Sequence, residues 1–131
     1  MKEEEKKKKY VELHILQQQL QQLQQQIVSL QQQVHELGSL SESLEEIKGV
    51  EKGTEILAPL GSGIFIKTKL EDSGEVVMNV GAKTAVVKNI EEAKKLVDEQ
   101  IDEIRDVIAK MEHEMEKALV YANKVQEEVG K

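Results

Sequence analysis

The chain is 131 residues long, carries a formal net charge of -7 and contains no cysteine, no tryptophan and a single phenylalanine. The lack of cysteine excludes disulfides, thiolate metal sites and a cysteine nucleophile. The acidic charge argues against a general binder of nucleic acid or of anionic membranes. The sequence has neither an apolar stretch of membrane-spanning length nor a signal peptide, so it predicts a cytoplasmic protein. Because aromatic side chains are so few, the apolar residues suit a narrow seam better than a thick core.

The first long segment has the spacing of a coiled-coil helix. Its apolar residues recur at alternating steps of three and four, which places them along one side of a helix and calls for a partner helix. They are Leu13, Leu16, Leu20, Leu23, Ile27, Leu30, Val34 and Leu37, and the same register then passes through the polar Ser41 to Leu44. Glutamine tracts lie between them. Such tracts can signal disordered low complexity, but the unbroken heptad favours a helix with an amide-rich outer face. We assign this helix to residues 1–48, with Gly49 as a stop signal.

Residues 49–88 change from the heptad spacing to the alternation of β-strands. Four short runs, separated by the turn sequences PLGSG, EDSG and GAK, predict two β-hairpins. The glycines of GSG also suggest a phosphate-binding loop. Ile64 and Phe65 follow them, however, where a P-loop needs a lysine and a hydroxyl residue. Gly61 and Gly63 are therefore typical of a turn that requires positive φ.

A second heptad segment, residues 89–131, mirrors the first. Asn89 is a good N-cap, and Glu92 follows three residues later, as in a capping box. The seam runs from Ile90 to Val129, and the charged Lys94 is the one interruption. Two seams of similar length in one chain pair antiparallel, here between residues whose numbers sum to about 137. The sequence therefore predicts a mainly α protein with a small β insert: one antiparallel two-helix coiled coil, spanning residues 1–131, whose helices are joined by two β-hairpins.

No group of residues in the sequence predicts catalysis. The three histidines, His14, His35 and His113, lie off the seam, and the predicted pairing places His14 and His113 too far apart for a shared metal ion. The many carboxylates alternate with lysines, as on solvated helix faces. We therefore expect no catalytic residue, no metal and no cofactor, and an enzyme is the least favoured function.

Two groups of apolar residues exceed what the seam can bury. A two-stranded hairpin is marginal in water and leaves its edges unpaired, so apolar residues on both faces favour joining strands from other subunits into a closed or larger sheet. The predicted assembly residues are Ile64, Phe65, Ile66, Val76, Met78, Val80 and Val86. Excess apolar surface at the protruding tip of the helix pair is a candidate binding surface. It comprises Tyr10, Val11, Leu13, Leu119, Val120 and Tyr121. The alternative for this second group is local packing within the helix pair.

The order of helix, two β-hairpins and helix resembles the α-type subunit of prefoldin, a co-chaperone of archaea and eukaryotes. The resemblance is most specific in PLGSGIFIK, NVGAKTAV and NIEEA. It implies a hexamer of two α-type and four β-type subunits, in which the hairpins build a double β-barrel. It also implies that the coiled-coil tips hold non-native proteins and pass them to a group II chaperonin without ATP.

The sequence thus favours a molecular chaperone subunit that captures unfolded proteins. The alternative is a coiled-coil adaptor or scaffold that binds one dedicated folded partner through its helices. The breadth of clients distinguishes the two, because an adaptor does not suppress the aggregation of several unrelated denatured proteins.

Overall fold

The computed structural model describes residues 2–130, so the predicted outer ends at residues 1 and 131 lie outside the described part. Helix α1 spans Glu3–Ile47 and helix α2 spans Ile90–Gly130. Between them lie β1 (Glu55–Gly61), β2 (Ile64–Lys69), β3 (Glu75–Gly81) and β4 (Thr84–Asn89). These elements confirm the predicted mainly α fold with a two-hairpin insert. Helix α1 ends one residue before the predicted boundary, and α2 begins one residue after it.

The start of α2 is fixed by the predicted cap. The side-chain Oδ1 of Asn89 accepts a hydrogen bond from the backbone N–H of Glu92 at 2.8 Å, which satisfies one of the free donors at the helix start. The neighbouring Glu91 binds Lys48 at 2.5 Å. This hydrogen bond lowers the pKa of Glu91 and raises the pKa of Lys48. The ion pair therefore joins the end of α1 to the start of α2.

The chain forms two compact units, of which one comprises Glu36–Ile101 and holds both hairpins with the adjoining helix ends. Its buried apolar side chains are Leu44, Ile90, Ala93, Val97 and Ile101. The buried hydroxyl of Ser41 donates a 2.8 Å hydrogen bond to Asp98, so the polar group in this seam has its partner.

One predicted seam position is wrong. Ala93, which is 1% exposed, occupies the place given to Lys94. Lys94 lies beside the seam, where its Nζ reaches Oδ2 of Asp98 at 3.4 Å. The physical reason is the high cost of removing an ammonium group from water, whereas a methyl group fits the narrow space.

The other unit contains the residues up to His35 and those from Asp102 onward. Its buried side chains are Ile27, Ile108, Ala122, Val125 and Val129. The helices are joined at their edges by an ion pair of 2.9 Å between Lys9 and Glu128. The numbers of this pair sum to 137, and those of Ser41 and Asp98 in the other unit sum to 139. Both values confirm the predicted antiparallel pairing.

The two hairpins repeat the same plan 20 residues apart. In each, a glycine pairs across a two-residue turn, Gly61 with Ile64 and Gly81 with Thr84, and the register shifts just before that glycine. In the first hairpin the two turn residues are Ser62 and Gly63. Their φ angles are 50° and 78°, both positive as a type I′ turn requires. These angles confirm the turn predicted for GSG. The hairpins are thus two copies of one local structure.

Candidate interaction surfaces

Each hairpin has one half-buried face and one exposed face. Residues paired across an antiparallel ladder point to the same side, and neighbours along a strand point to opposite sides. The half-buried face carries Ile56, Ala58 and Thr68 in the first hairpin and Val76, Met78, Val86 and Lys88 in the second. Ile66, which pairs with Ala58, lies on the same face and is 45% exposed. We call the other side the outward face. Its residues are Glu55, Leu57, Pro59, Phe65, Lys67 and Lys69, and Glu75, Val77, Asn79, Ala85, Val87 and Asn89.

The outward face exposes large apolar side chains. Leu57 is 61% exposed and Val77, its counterpart in the second hairpin, is 70% exposed. Phe65 and Val87 lie on the same face and are also exposed. Exposed apolar side chains grouped on one face are candidate interaction residues.

The outer strand edges add unpaired backbone groups to this surface. The backbone N–H of Leu70 donates to the carbonyl of Thr54, so these two residues form a hydrogen-bonded pair. Such pairs alternate along an antiparallel ladder, and the backbone groups of Ile56 and Ala58 therefore also point toward β2. Leu57 and Pro59 alternate with them, so their backbone polar groups point away from β2, toward the outer edge of β1. Pro59 has no N–H to offer there. The equivalent residue of β3 is Asn79, so the outer edge of β3 keeps a donor that the edge of β1 lacks.

Four of the seven predicted assembly residues are exposed, namely Ile64, Phe65, Ile66 and Val80. The other three, Val76, Met78 and Val86, lie on the half-buried face of their hairpin. Sequence reasoning missed four exposed residues: Leu57, Leu60, Val77 and Val87. Their alternation along the strands signals two faces, but it does not say which face the rest of the chain covers. Contact of any of these residues with another subunit stays a prediction.

The residues of the predicted tip belong to the other unit. Five of the six are exposed, and we call them, together with the neighbouring Ile15, the terminal apolar surface. Its members are Tyr10, Val11, Ile15, Leu119, Val120 and Tyr121. Leu13 is half-buried in the seam, so the local-packing alternative holds for it. Val11 and Val120 are 60% and 63% exposed, which local packing does not explain.

Polar contacts between α1 and α2 border the terminal apolar surface. The hydroxyl of Tyr121 donates a hydrogen bond to the carboxylate of Glu12, and this bond raises the pKa of the phenol. The hydrogen bond from Lys9 to Glu128 likewise raises the pKa of Lys9. These bonds join the two helices at the positions where the apolar side chains point outward.

Histidine and acidic side chains are dispersed along the described part of the chain. Between residues 2 and 130, no group of three or more histidine and acidic side chains is placed to hold a metal ion. The Nε2 of His14 lies 3.3 Å from the side-chain amide of Gln18, one helical turn away. Neither α1 nor α2 is apolar enough over its length to cross a membrane.

Comparison with known families agrees with this architecture. The family model described as "Prefoldin subunit" matches residues 16–130, a span that includes both hairpins and most of both helices. The chain belongs to the prefoldin family. The match confirms the resemblance seen in the sequence, although it begins after Tyr10, Val11 and Leu13 of the predicted tip.

Curated relatives are named as α subunits of prefoldin. The prefoldin subunit alpha of Archaeoglobus fulgidus is 27% identical over 128 residues, which is 98% of this chain and 93% of that protein. That of Pyrococcus horikoshii is 33% identical over 100 residues, covering 76% and 68% of the two chains. With several other relatives the match spans about half of their length, as with 51% of the Methanopyrus kandleri subunit at 30% identity.

A solved structure shares the fold. A chain in the cryo-EM structure of filamentous PFD from Methanocaldococcus jannaschii superposes with a TM-score of 0.78. The match covers 88% of this chain and 95% of that one, at 22% sequence identity. The prefoldin fold therefore persists here although few residues are identical.

Proposed function

We propose that this chain is the α-type subunit of a prefoldin that holds non-native proteins without ATP and passes them to a group II chaperonin. The observation that carries the proposal is the presence of two exposed apolar surfaces in two different units of one chain. The outward face of the hairpins suits subunit assembly, and the terminal apolar surface suits client binding. Neither task needs a catalytic residue or a cofactor.

Assembly proceeds through the hairpins in this proposal. Their outer edges leave N–H and C=O groups without strand partners, and such edges pair readily with strands of another chain. Partner hairpins from β-type subunits would close these edges into barrels, in the hexamer of two α-type and four β-type subunits that the resemblance implies. A filament, as in the Methanocaldococcus jannaschii structure, is the other form of assembly to be distinguished.

The assembly role is tested by placing charges on the outward face. Leu57→Lys with Val77→Lys should prevent assembly, because a sheet interface that buries these side chains cannot solvate two ammonium groups. Native mass spectrometry of the chain alone and mixed with a β-type subunit measures the effect, and circular dichroism checks that the helices persist. Val28→Lys with Val107→Lys is the matched control, since both valines are exposed on the helices. An unchanged assembly mass in the hairpin variant would refute this role.

Client binding by the terminal apolar surface requires a separate test. Val11→Ser with Val120→Ser should weaken the suppression of aggregation for several unrelated denatured proteins while leaving the assembly mass unchanged. The control is Val107→Ser, which removes an exposed valine of the same unit. Equal suppression by both variants would move client binding to another surface. Wild-type activity toward a single folded partner only would favour the adaptor alternative.

A further inference from the structure

A groove of about 660 Å³ runs between α1 and α2 in the unit that carries the terminal apolar surface. Its apolar lining comes from Ile27, Ala109, Met115 and Leu119. Leu119 is shared with the terminal apolar surface, and Val120 of that surface follows it in the chain. The groove therefore continues the proposed client surface along the helix pair.

The carboxylates of Glu112 and Glu116 border this groove without compensating cations. The side chains opposite them on α1 are the neutral amides Gln24 and Gln31. Within α2, the residues three and four positions from either glutamate include no lysine or arginine. Neither glutamate carboxylate makes a hydrogen bond or an ion pair within residues 2–130.

These two glutamates are also one helical turn apart, where like charges destabilise a helix. A bound cation would relieve that repulsion, and the adjoining apolar side chains would cover the hydrocarbon part of a lysine or arginine. His113 is the one titratable group with a basic nitrogen in the lining. The groove thus combines apolar contact with an uncompensated negative charge.

We propose that this acidic groove (Gln24, Ile27, Gln31, Ala109, Glu112, His113, Met115, Glu116 and Leu119) selects non-native segments in which lysine or arginine residues alternate with apolar residues. The inference rests on the proposed client-holding function and names the class of client segment. Apolar residues of the segment contact Met115 and Leu119, and its cations pair with Glu112 and Glu116. Acidic apolar segments meet repulsion at the same place.

The test uses the full-length chain and two labelled unstructured peptides with the same apolar residues, one carrying lysines and one carrying glutamates. Glu112→Gln with Glu116→Gln should raise the dissociation constant of the lysine peptide about fivefold at low salt. This is the effect expected from the loss of two exposed ion pairs of ordinary strength. Binding of the glutamate peptide should not weaken. Fluorescence anisotropy gives both affinities, and the difference should shrink as salt screens the charges.

The matched control is Glu103→Gln with Asp106→Asn, which changes the net charge equally in the same unit but outside the groove lining. This control should keep the preference for the lysine peptide. An equal loss in both variants would overturn the inference, because the overall negative charge would then explain the preference. Unchanged lysine-peptide affinity in the groove variant, with aggregation suppression intact, would overturn the inference alone. Wild-type protein that binds neither peptide and suppresses no aggregation would overturn the proposed function as well.

Discussion

The second hairpin turn places two residues with side chains in left-handed backbone conformations. Ala82 has φ of 48° and Lys83 has φ of 59°. The first turn uses Ser62 and Gly63 at the same two positions, with a glycine at the second. A residue with a Cβ in this region costs about 1–2 kcal/mol. The second turn therefore carries strain that the first turn partly avoids.

Lys83→Gly should raise the free energy of unfolding by about 0.5–1 kcal/mol, because glycine adopts the required φ without a Cβ clash and part of the gain is lost to its greater freedom when unfolded. The reverse change in the first turn, Gly63→Lys, should lower it by a similar amount. Urea unfolding followed by circular dichroism measures both. A loss of stability in Lys83→Gly would show that the turn is not strained.

The bond between Ser41 and Asp98 predicts a specific pH dependence. The Ser41 hydroxyl, and secondarily Lys94, hold the pKa of Asp98 below its ordinary value of about 3.9. A carboxyl whose pKa is lower in the folded state stabilises the protein above its ordinary pKa. That contribution is lost as the pH falls through the lower, folded value.

Ser41→Ala should therefore move the pKa of Asp98 upward, toward its ordinary value, and reduce the change in stability between neutral pH and about pH 3. NMR titration of the Asp98 carboxyl carbon measures the pKa directly. Ser43→Ala is the control, because the Ser43 hydroxyl bonds to the carbonyl of Ser39 and not to Asp98. An unchanged Asp98 titration in Ser41→Ala would assign the shift to Lys94 instead.

At the scale of the elements, the heptad pattern distinguishes buried from exposed residues of the same type. Val125 is 1% exposed, whereas Val120, five residues earlier in α2, is 63% exposed. Val125→Ala should lower the free energy of unfolding by about 2 kcal/mol, since it removes buried methyl groups and leaves a cavity. Val120→Ala should change it by less than about 0.5 kcal/mol. Equal losses in denaturant unfolding would contradict the assigned seam.

Periodicity predicted both helices, all four strands and the antiparallel pairing. It misplaced one seam residue, because a strict alternation of three and four residues assigns a position regardless of the side chain there. Ala93 and Lys94 are neighbours on the helix, and the balance between them depends on the cost of burying an ammonium group. Asp98, one turn further along, provides the partner that keeps Lys94 beside the seam.

The outward face of the hairpins was less predictable than the strands. Alternation assigns Leu57 and Val77 to one side and Val76 and Met78 to the other, but both sides are apolar. Which side the rest of the chain covers depends on the position of the helices relative to the sheet, and strand sequence does not encode this. The burial in the structure shows the outcome: Val76 and Met78 are half-buried, whereas Leu57 and Val77 are exposed.

At the scale of the whole molecule, the two proposed tasks use residues of different units. The outward face lies within Glu36–Ile101, and the terminal apolar surface lies within the residues outside that range. The sequence could predict excess apolar residues in both places. It could not predict whether either surface is covered in an assembly, because that depends on atoms of other chains.

Removing residues 51–70 should produce a chain with one hairpin and intact helices. The deletion joins Val50 to Glu71. Because Glu51 and Glu71 hold equivalent places in the 20-residue repeat, a glutamate still follows Val50. The helical signal per molecule should be preserved, while the mass of the complex with a β-type subunit should change. A complex of unchanged mass would show that the first hairpin takes no part in assembly.

The 20-residue repeat of the hairpins has a consequence for how such chains diversify. The Leu70 N–H bonds to the carbonyl of Thr54, and the Ile90 N–H bonds to that of Gly74, so each copy closes its own ladder with the same backbone bond. A copy can therefore be gained or lost by one in-frame recombination event, without moving a residue of either helix to the wrong side of its heptad. After such a duplication, a single substitution distinguishes the two outer edges: proline at position 59 removes a backbone donor that asparagine at position 79 keeps.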